Sequence, residues 1–132
     1  MGKSLSPLTG EMTMTKNEPK LWEVWQFEFA FEDNPQITKK RPVIIVAKDN
    51  NQEEIVLLTI KVTSHPPRKE FQGEIPLLDW ASAGLTKPST ARCSKHLLVP
   101  IEAFAGCVCY GRLSKRDEDN IRQALVNMGI IK

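Results

Sequence analysis

The chain has little of several things, and each shortage narrows its class. Three cysteines in 132 residues, at no disulfide-scaffold spacing, exclude a small cross-linked secreted fold and make a reduced, cytoplasmic compartment the expectation. No apolar run approaches the length of a membrane span, and the first twenty residues lack the apolar core of a secretory signal. Charge of one sign is also scarce, since 18 basic and 16 acidic residues leave a net +2. That balance neither demands nor forbids a nucleic-acid partner, because a local basic patch counts for more than the sum. There is no internal repeat and no low-complexity tract. What remains is ordinary globular composition, 41% hydrophobic, and enough chain for one hydrophobic core.

Residues 1–20, rich in Gly, Ser, Thr, Pro and Lys, read as a flexible tail. The domain is then expected over 21–132. In Leu21–Phe31, Trp25, Phe27 and Phe29 share one parity, which predicts a strand with those rings inward. Trp22 falls on the other parity and is a candidate stacking surface for a base. Residues 32–40 read as a polar loop. Its closing lysines, with the next residue, form Lys39-Lys40-Arg41, a positive patch suited to phosphate.

The stretch from Lys39 to Arg68 organises the rest. Val43–Val46 is a β-branched run, Asp49–Gln52 is turn chemistry, and residues 55–62 return as a second strand. A hairpin of this kind brings its outer ends together. Arg41 would then lie near Thr63, Ser64 and His65, which makes that edge the expected working site. The two prolines after His65 stop the strand.

Further strands are expected over 70–78, from 85 through Ser94, over 97–100 and over 107–112. Asp79–Gly84 reads as one helical turn, with Asp79 as its cap and Gly84 as its left-handed exit. Residues 114–132 form the clearest helix, capped by Ser114, acidic in its first turn, with Ile121, Leu125 and Met128 as the buried stripe. Cys93, His96, Cys107 and Cys109 have spacing that would suit zinc if they converged. Small apolar packing is the expected use of the cysteines. The whole predicts a mainly β fold, a small partly open barrel closed by a C-terminal helix.

An ordered set of short stretches resembles the PemK/MazF toxins of type II toxin–antitoxin systems. These are Glu23-Val24-Trp25, Lys40-Arg41-Pro42-Val43, Val62-Thr63-Ser64, Asp79-Trp80, Ala83-Gly84-Leu85, Lys87-Pro88-Ser89 and Gly111-Arg112-Leu113-Ser114. The resemblance spans about residues 21–131. It implies an SH3-like barrel of the CcdB/MazF type, a homodimer, a cognate antitoxin, and sequence-selective cleavage of single-stranded RNA with no metal or other cofactor. It also implies that Arg41 and Thr63 are catalytic; Ser64 and His65, beside Thr63, are further candidates by their own chemistry.

Lys39, Lys40, Arg68, Lys87, Ser89 and Arg92 are the expected substrate contacts, together with Trp22. Gln36 stands where many members carry a glutamate. An amide cannot transfer protons, so His65, Glu32 and Asp33 remain the candidates for acid and base. The alternative function is a binding module on the same barrel, either for nucleic acid without catalysis or for a protein target such as gyrase.

Overall fold

The computed structural model describes residues 18–31, 33–50 and 54–132. The expected tail over residues 1–17, Glu32 and the middle of the central turn (51–53) lie outside the described residues. The elements in order are β1 (Glu23–Phe31), β2 (Asn34–Asn50), β3 (Ile55–Thr63), β4 (Glu74–Pro76), β5 (Thr90–Pro100), a 3-10 turn (Ile101–Phe104), β6 (Cys109–Arg112) and α1 (Lys115–Asn127). The six strands form one antiparallel sheet in the order β4-β5-β3-β2-β1-β6, curled into a half-barrel. Among the described residues no helix is long and apolar enough to cross a membrane.

The sheet is buried on both faces, so both parities of its central strands are apolar. One core holds Val24, Ile44, Val46, Ile60 and Val62, closed by Ile121 and Leu125 of α1. The other holds Trp25, Val43, Ile45, Leu57 and Val99 around Phe104. Trp25 meets Phe104 edge-on at 5.7 Å between ring centroids. Val43–Val46 is fully buried for this reason, as its β-branched composition predicts.

Residues 34–40 are strand rather than loop. They pair with β1, Lys40 opposite Glu28 and Lys39 opposite Phe29, and the Thr38 hydroxyl bonds the Glu28 carboxylate. Both faces of this arm are exposed, so the sequence shows no apolar period there. Only the pairing makes it a strand. The strand expected over 70–78 shrinks to Glu74–Pro76, while those expected around 90–94 and 97–100 are one strand, β5. That strand is interrupted by a bulge. One step on β3, from Ile60 to Lys61, corresponds to four on β5, from His96 to Arg92. Cys93, Ser94 and Lys95 are therefore left out of the ladder.

Helix α1 begins as its sequence predicts, with the Ser114 hydroxyl accepting the Asp117 N–H at 3.4 Å. Its acidic first turn, however, is not a solvated face. Asp117 is completely buried, and its carboxylate accepts the N–H groups of Leu78 (2.9 Å) and Asp79 (2.8 Å). Asp79 does not cap its own turn. Its carboxylate takes a fork of two 2.7 Å bonds from Arg116 and one of 2.5 Å from the Ser114 hydroxyl. Those partners hold the Asp79 pKa down, from 3.8 to about 2, Arg116 contributing most.

The sign of the resulting pH dependence follows. A depressed folded-state pKa stabilises while the carboxylate is ionised, and that help is lost as pH falls through the folded value. We expect the melting temperatures of the native chain and of Asp79→Asn to differ at pH 5 and to draw together as pH falls towards 2. A gap that stays constant between those pH values refutes the linkage.

Candidate active site

Continuing the Val43↔Lys61 register by two residues sets Arg41 opposite Thr63. Both line one cavity of about 330 Å³, with Pro42, Val62 and Ser64 beside them. The expected edge of the central hairpin is thus a concave surface. Ser64 lines it together with Thr63, although strand alternation predicts opposite faces. The reason is that β3 ends at Thr63 and the chain bends at Ser64, so alternation no longer applies.

The opposite wall is the segment after the Asp79–Gly84 turn, contributing Gly84, Leu85, Thr86, Lys87 and Ser89, and Tyr110 of β6 completes it. The turn lies backbone to backbone on β6. A Cβ on Gly84 would sit 2.0 Å from the Tyr110 carbonyl oxygen, and one on Gly111 would sit 2.7 Å from that of Ala83. Gly84 also has φ +91°, the left-handed exit expected of it. Asp117 fastens the start of this turn to the helix, so a buried helix carboxylate supports a wall of the cavity from behind. Thr86 and Tyr110 are lining residues that sequence reasoning passed over. The glycine pair 27 residues apart was the available signal for the Tyr110 approach.

The cavity is cationic. Arg41 is exposed, and the bond its guanidinium makes is a long one, 3.4 Å, to the Lys40 carbonyl. Among the described residues no carboxylate lies within ion-pair distance of Arg41. Lys87 is the second cation, and among the described residues no acidic one lines the cavity. The Thr63 hydroxyl oxygen accepts the His65 N–H at 3.2 Å, which leaves its own proton free to be donated. The Ser89 hydroxyl donates to the Lys87 carbonyl at 2.9 Å, so it braces its own loop. The Tyr110 oxygen accepts from Gln26 at 2.9 Å, likewise keeping its proton available.

Several candidates lie elsewhere. Trp22 is not a surface platform: it is 5% exposed, in the helix-side core, with Arg122 over its ring at 5.0 Å. It shares that core with Val24, two residues on along the same parity, because the face covered by α1 is core as well. Lys39-Lys40-Arg41 is not one patch, because neighbours on a strand diverge. Lys40 lines a second cavity of about 230 Å³ with Gln26, Glu28 and Cys107, away from Arg41. Lys39 is exposed opposite Phe29.

Arg92 is not free for substrate. Its Nε donates to Glu74 at 2.7 Å, and the Glu74 side chain is 1% exposed. Arg68 also points away from the cavity's lining, with its Nε 3.1 Å from His65 Nδ1. The His65 imidazole is outside the lining as well, its Nδ1 2.7 Å from the Pro66 carbonyl. One nitrogen cannot donate to the carbonyl and accept from Arg68. The shorter contact favours the form with the proton on Nδ1 and a free lone pair on Nε2. Of the cysteines, Cys93 is buried in the helix-side core and Cys107 packs against the other. Burial raises the Cys93 thiol to about 11, the behaviour of a packing residue.

The half-barrel is similar to chains in two MazE–MazF crystal structures from Deinococcus radiodurans. The first, Form II, has 12% identity and a TM-score of 0.62, covering 86% of this chain and 97% of that one. The second, Form III, has 10% identity and a TM-score of 0.59, covering 86% and 98%. At such identities the likeness concerns the fold. No curated protein matches the sequence. Residues 20–128, however, match the family described as PemK-like, MazF-like toxin of type II toxin–antitoxin system. That match takes in both strands of the central hairpin, both walls of the cavity and all of α1, and the chain belongs to the PemK-like, MazF-like toxins of type II toxin–antitoxin systems.

Proposed function

We propose that this toxin is an endoribonuclease that cleaves single-stranded RNA at selected sequences without a metal ion. One observation carries the proposal: two cations and a set of hydroxyls share a cavity in whose lining, among the described residues, there is no carboxylate. Such a lining suits a phosphodiester, which is anionic and rich in acceptors.

The reaction uses the substrate's own 2′-hydroxyl as nucleophile on the adjacent phosphate. The P–O5′ bond breaks as the P–O2′ bond forms, giving a 2′,3′-cyclic phosphate and a free 5′-hydroxyl. Arg41 takes the non-bridging oxygens, because a guanidinium stays charged and bonds phosphate in a fork. The Thr63 hydroxyl donates to the same group, and Lys87 adds charge as it develops. His65 Nε2 is the base that takes the 2′ proton. The Tyr110 phenol supplies a proton to the leaving 5′-oxygen.

As a family toxin, the chain would work in the cytoplasm as a homodimer, held silent by an antitoxin that covers this cavity. MazE–MazF complexes of the same fold support that partner class.

The direct test is to incubate the purified protein with single-stranded RNA in EDTA and weigh the products. Cyclic phosphate and 5′-hydroxyl ends are expected. Intact RNA from folded protein, or ends bearing a 5′-phosphate, overturns the assignment. A second reading, nucleic-acid binding without chemistry, is favoured by one feature: among the described residues neither a carboxylate nor an imidazole lies in the lining itself. Tight binding that leaves RNA intact would establish it.

A further inference from the structure

On the β4 side of the cavity, three cations surround one ring. Arg92 lies 4.8 Å, Lys95 5.4 Å and Arg68 5.7 Å from the centre of Phe71. Among the described residues one carboxylate, Glu74, is ion-paired in the cluster, and both its oxygens are taken. One accepts the Arg68 backbone N–H at 2.9 Å and the other the Arg92 Nε at 2.7 Å. Glu74 thus neutralises Arg92 and leaves the charges of Arg68 and Lys95 in excess.

The chain reaches this arrangement by an unusual route. The three residues Cys93–Lys95 leave the β5 ladder, and the displaced segment is held by the Cys93 N–H on the Gly73 carbonyl at 3.0 Å. A bulge re-aims side chains, and this one accompanies Lys95 standing over Phe71. The cluster is also joined to the cavity. Lys61, two residues before Thr63, pairs with Arg92 across the sheet.

We propose that the Phe71 cluster is a second phosphate-binding station, which grips the backbone of the single-stranded RNA beside the cleaved linkage. Arg68 and Lys95 make the phosphate contacts. Phe71 and Glu74 position them, and Arg92 is held back as structure. Charge complementarity selects the occupant: two unneutralised cations beside a cationic cavity fit a polyanion that passes both. The choice of RNA rests on the nuclease reading above, while the station itself is read by binding alone.

The probe is a fluorescent 2′-O-methyl RNA oligonucleotide, which lacks the attacking hydroxyl and stays intact. Its affinity for the full chain is followed through a salt titration. In Arg68→Gln/Lys95→Gln the log–log salt slope should fall by about 1.4, at about 0.7 per lost contact on a single strand. Affinity near 0.1 M salt should fall on the order of tenfold. A charge-matched control, Lys115→Gln/Lys132→Gln, should leave the slope unchanged.

An unchanged slope in the first variant, or an equal change in both, overturns the station. So does loss of affinity for a polyglutamate peptide with the RNA slope intact, which would make the occupant a protein. The two proposals fail separately. Unmodified RNA cleaved normally with an unchanged slope sinks only the station. Station-dependent binding with unmodified RNA left intact sinks only the nuclease.

Discussion

Replacing Arg41 with alanine should lower RNA cleavage about a thousandfold while leaving the melting temperature almost unmoved. The size follows from the work assigned to the guanidinium. Removing one preorganised donor from a developing oxyanion costs about 10²–10³ in rate, and Arg41 supplies two donors and a full charge. The neutral effect on stability follows from its surroundings. The side chain is exposed, and its one bond among the described residues is a 3.4 Å contact to a carbonyl. Arg41→Lys should recover part of the rate, since it keeps the charge and loses the fork. Initial rates on a fluorogenic RNA, with melting curves of all three proteins, decide the matter. A folded Arg41→Ala protein that retains a tenth or more of the activity would remove Arg41 from the chemistry.

The second large effect is structural. Asp117→Ala should destabilise the fold by about 3–5 kcal/mol, because a fully buried carboxylate is removed and the N–H groups of Leu78 and Asp79 lose their acceptor. Against a typical total of about 5–15 kcal/mol, that is a large share. Asp117→Asn should cost less, since the amide keeps one acceptor oxygen. Chemical denaturation followed by circular dichroism measures both. A loss below about 1 kcal/mol for the alanine variant would show that water or a rearranged turn replaces the carboxylate. The same variant should blunt activity in the protein that stays folded, since the turn tethered by Asp117 leads into the wall bearing Lys87.

What could be read from the chain, and what could not, divides by how far apart the partners are. The meeting of Arg41 and Thr63 was legible because a hairpin's register ties together residues on either side of one turn. The helix was legible because its cap and stripe are local. Asp117 reads locally as an acid favoured by the helix dipole, whereas its real partners lie 38 and 39 residues earlier. Arg92 reads as a free cation until Glu74, 18 residues away, is folded against it. Trp22 misleads in the same way: its side of the strand becomes core only when α1, about a hundred residues later, packs on it. The arm before Arg41 has no apolar period at all, so a sequence pattern built on burial has nothing to detect.

The 17 residues of β2 pass through three environments without a break in the backbone. Asn34 to Arg41 are exposed, Pro42 is half-covered, and Val43 to Val46 are clamped between the two cores. Arg41 is therefore the last free residue before the clamp, like the point where a cantilever meets its wall. The beam's root is fixed, so the arm can be long and compliant while the position of the charge stays set by the stiff interior behind it.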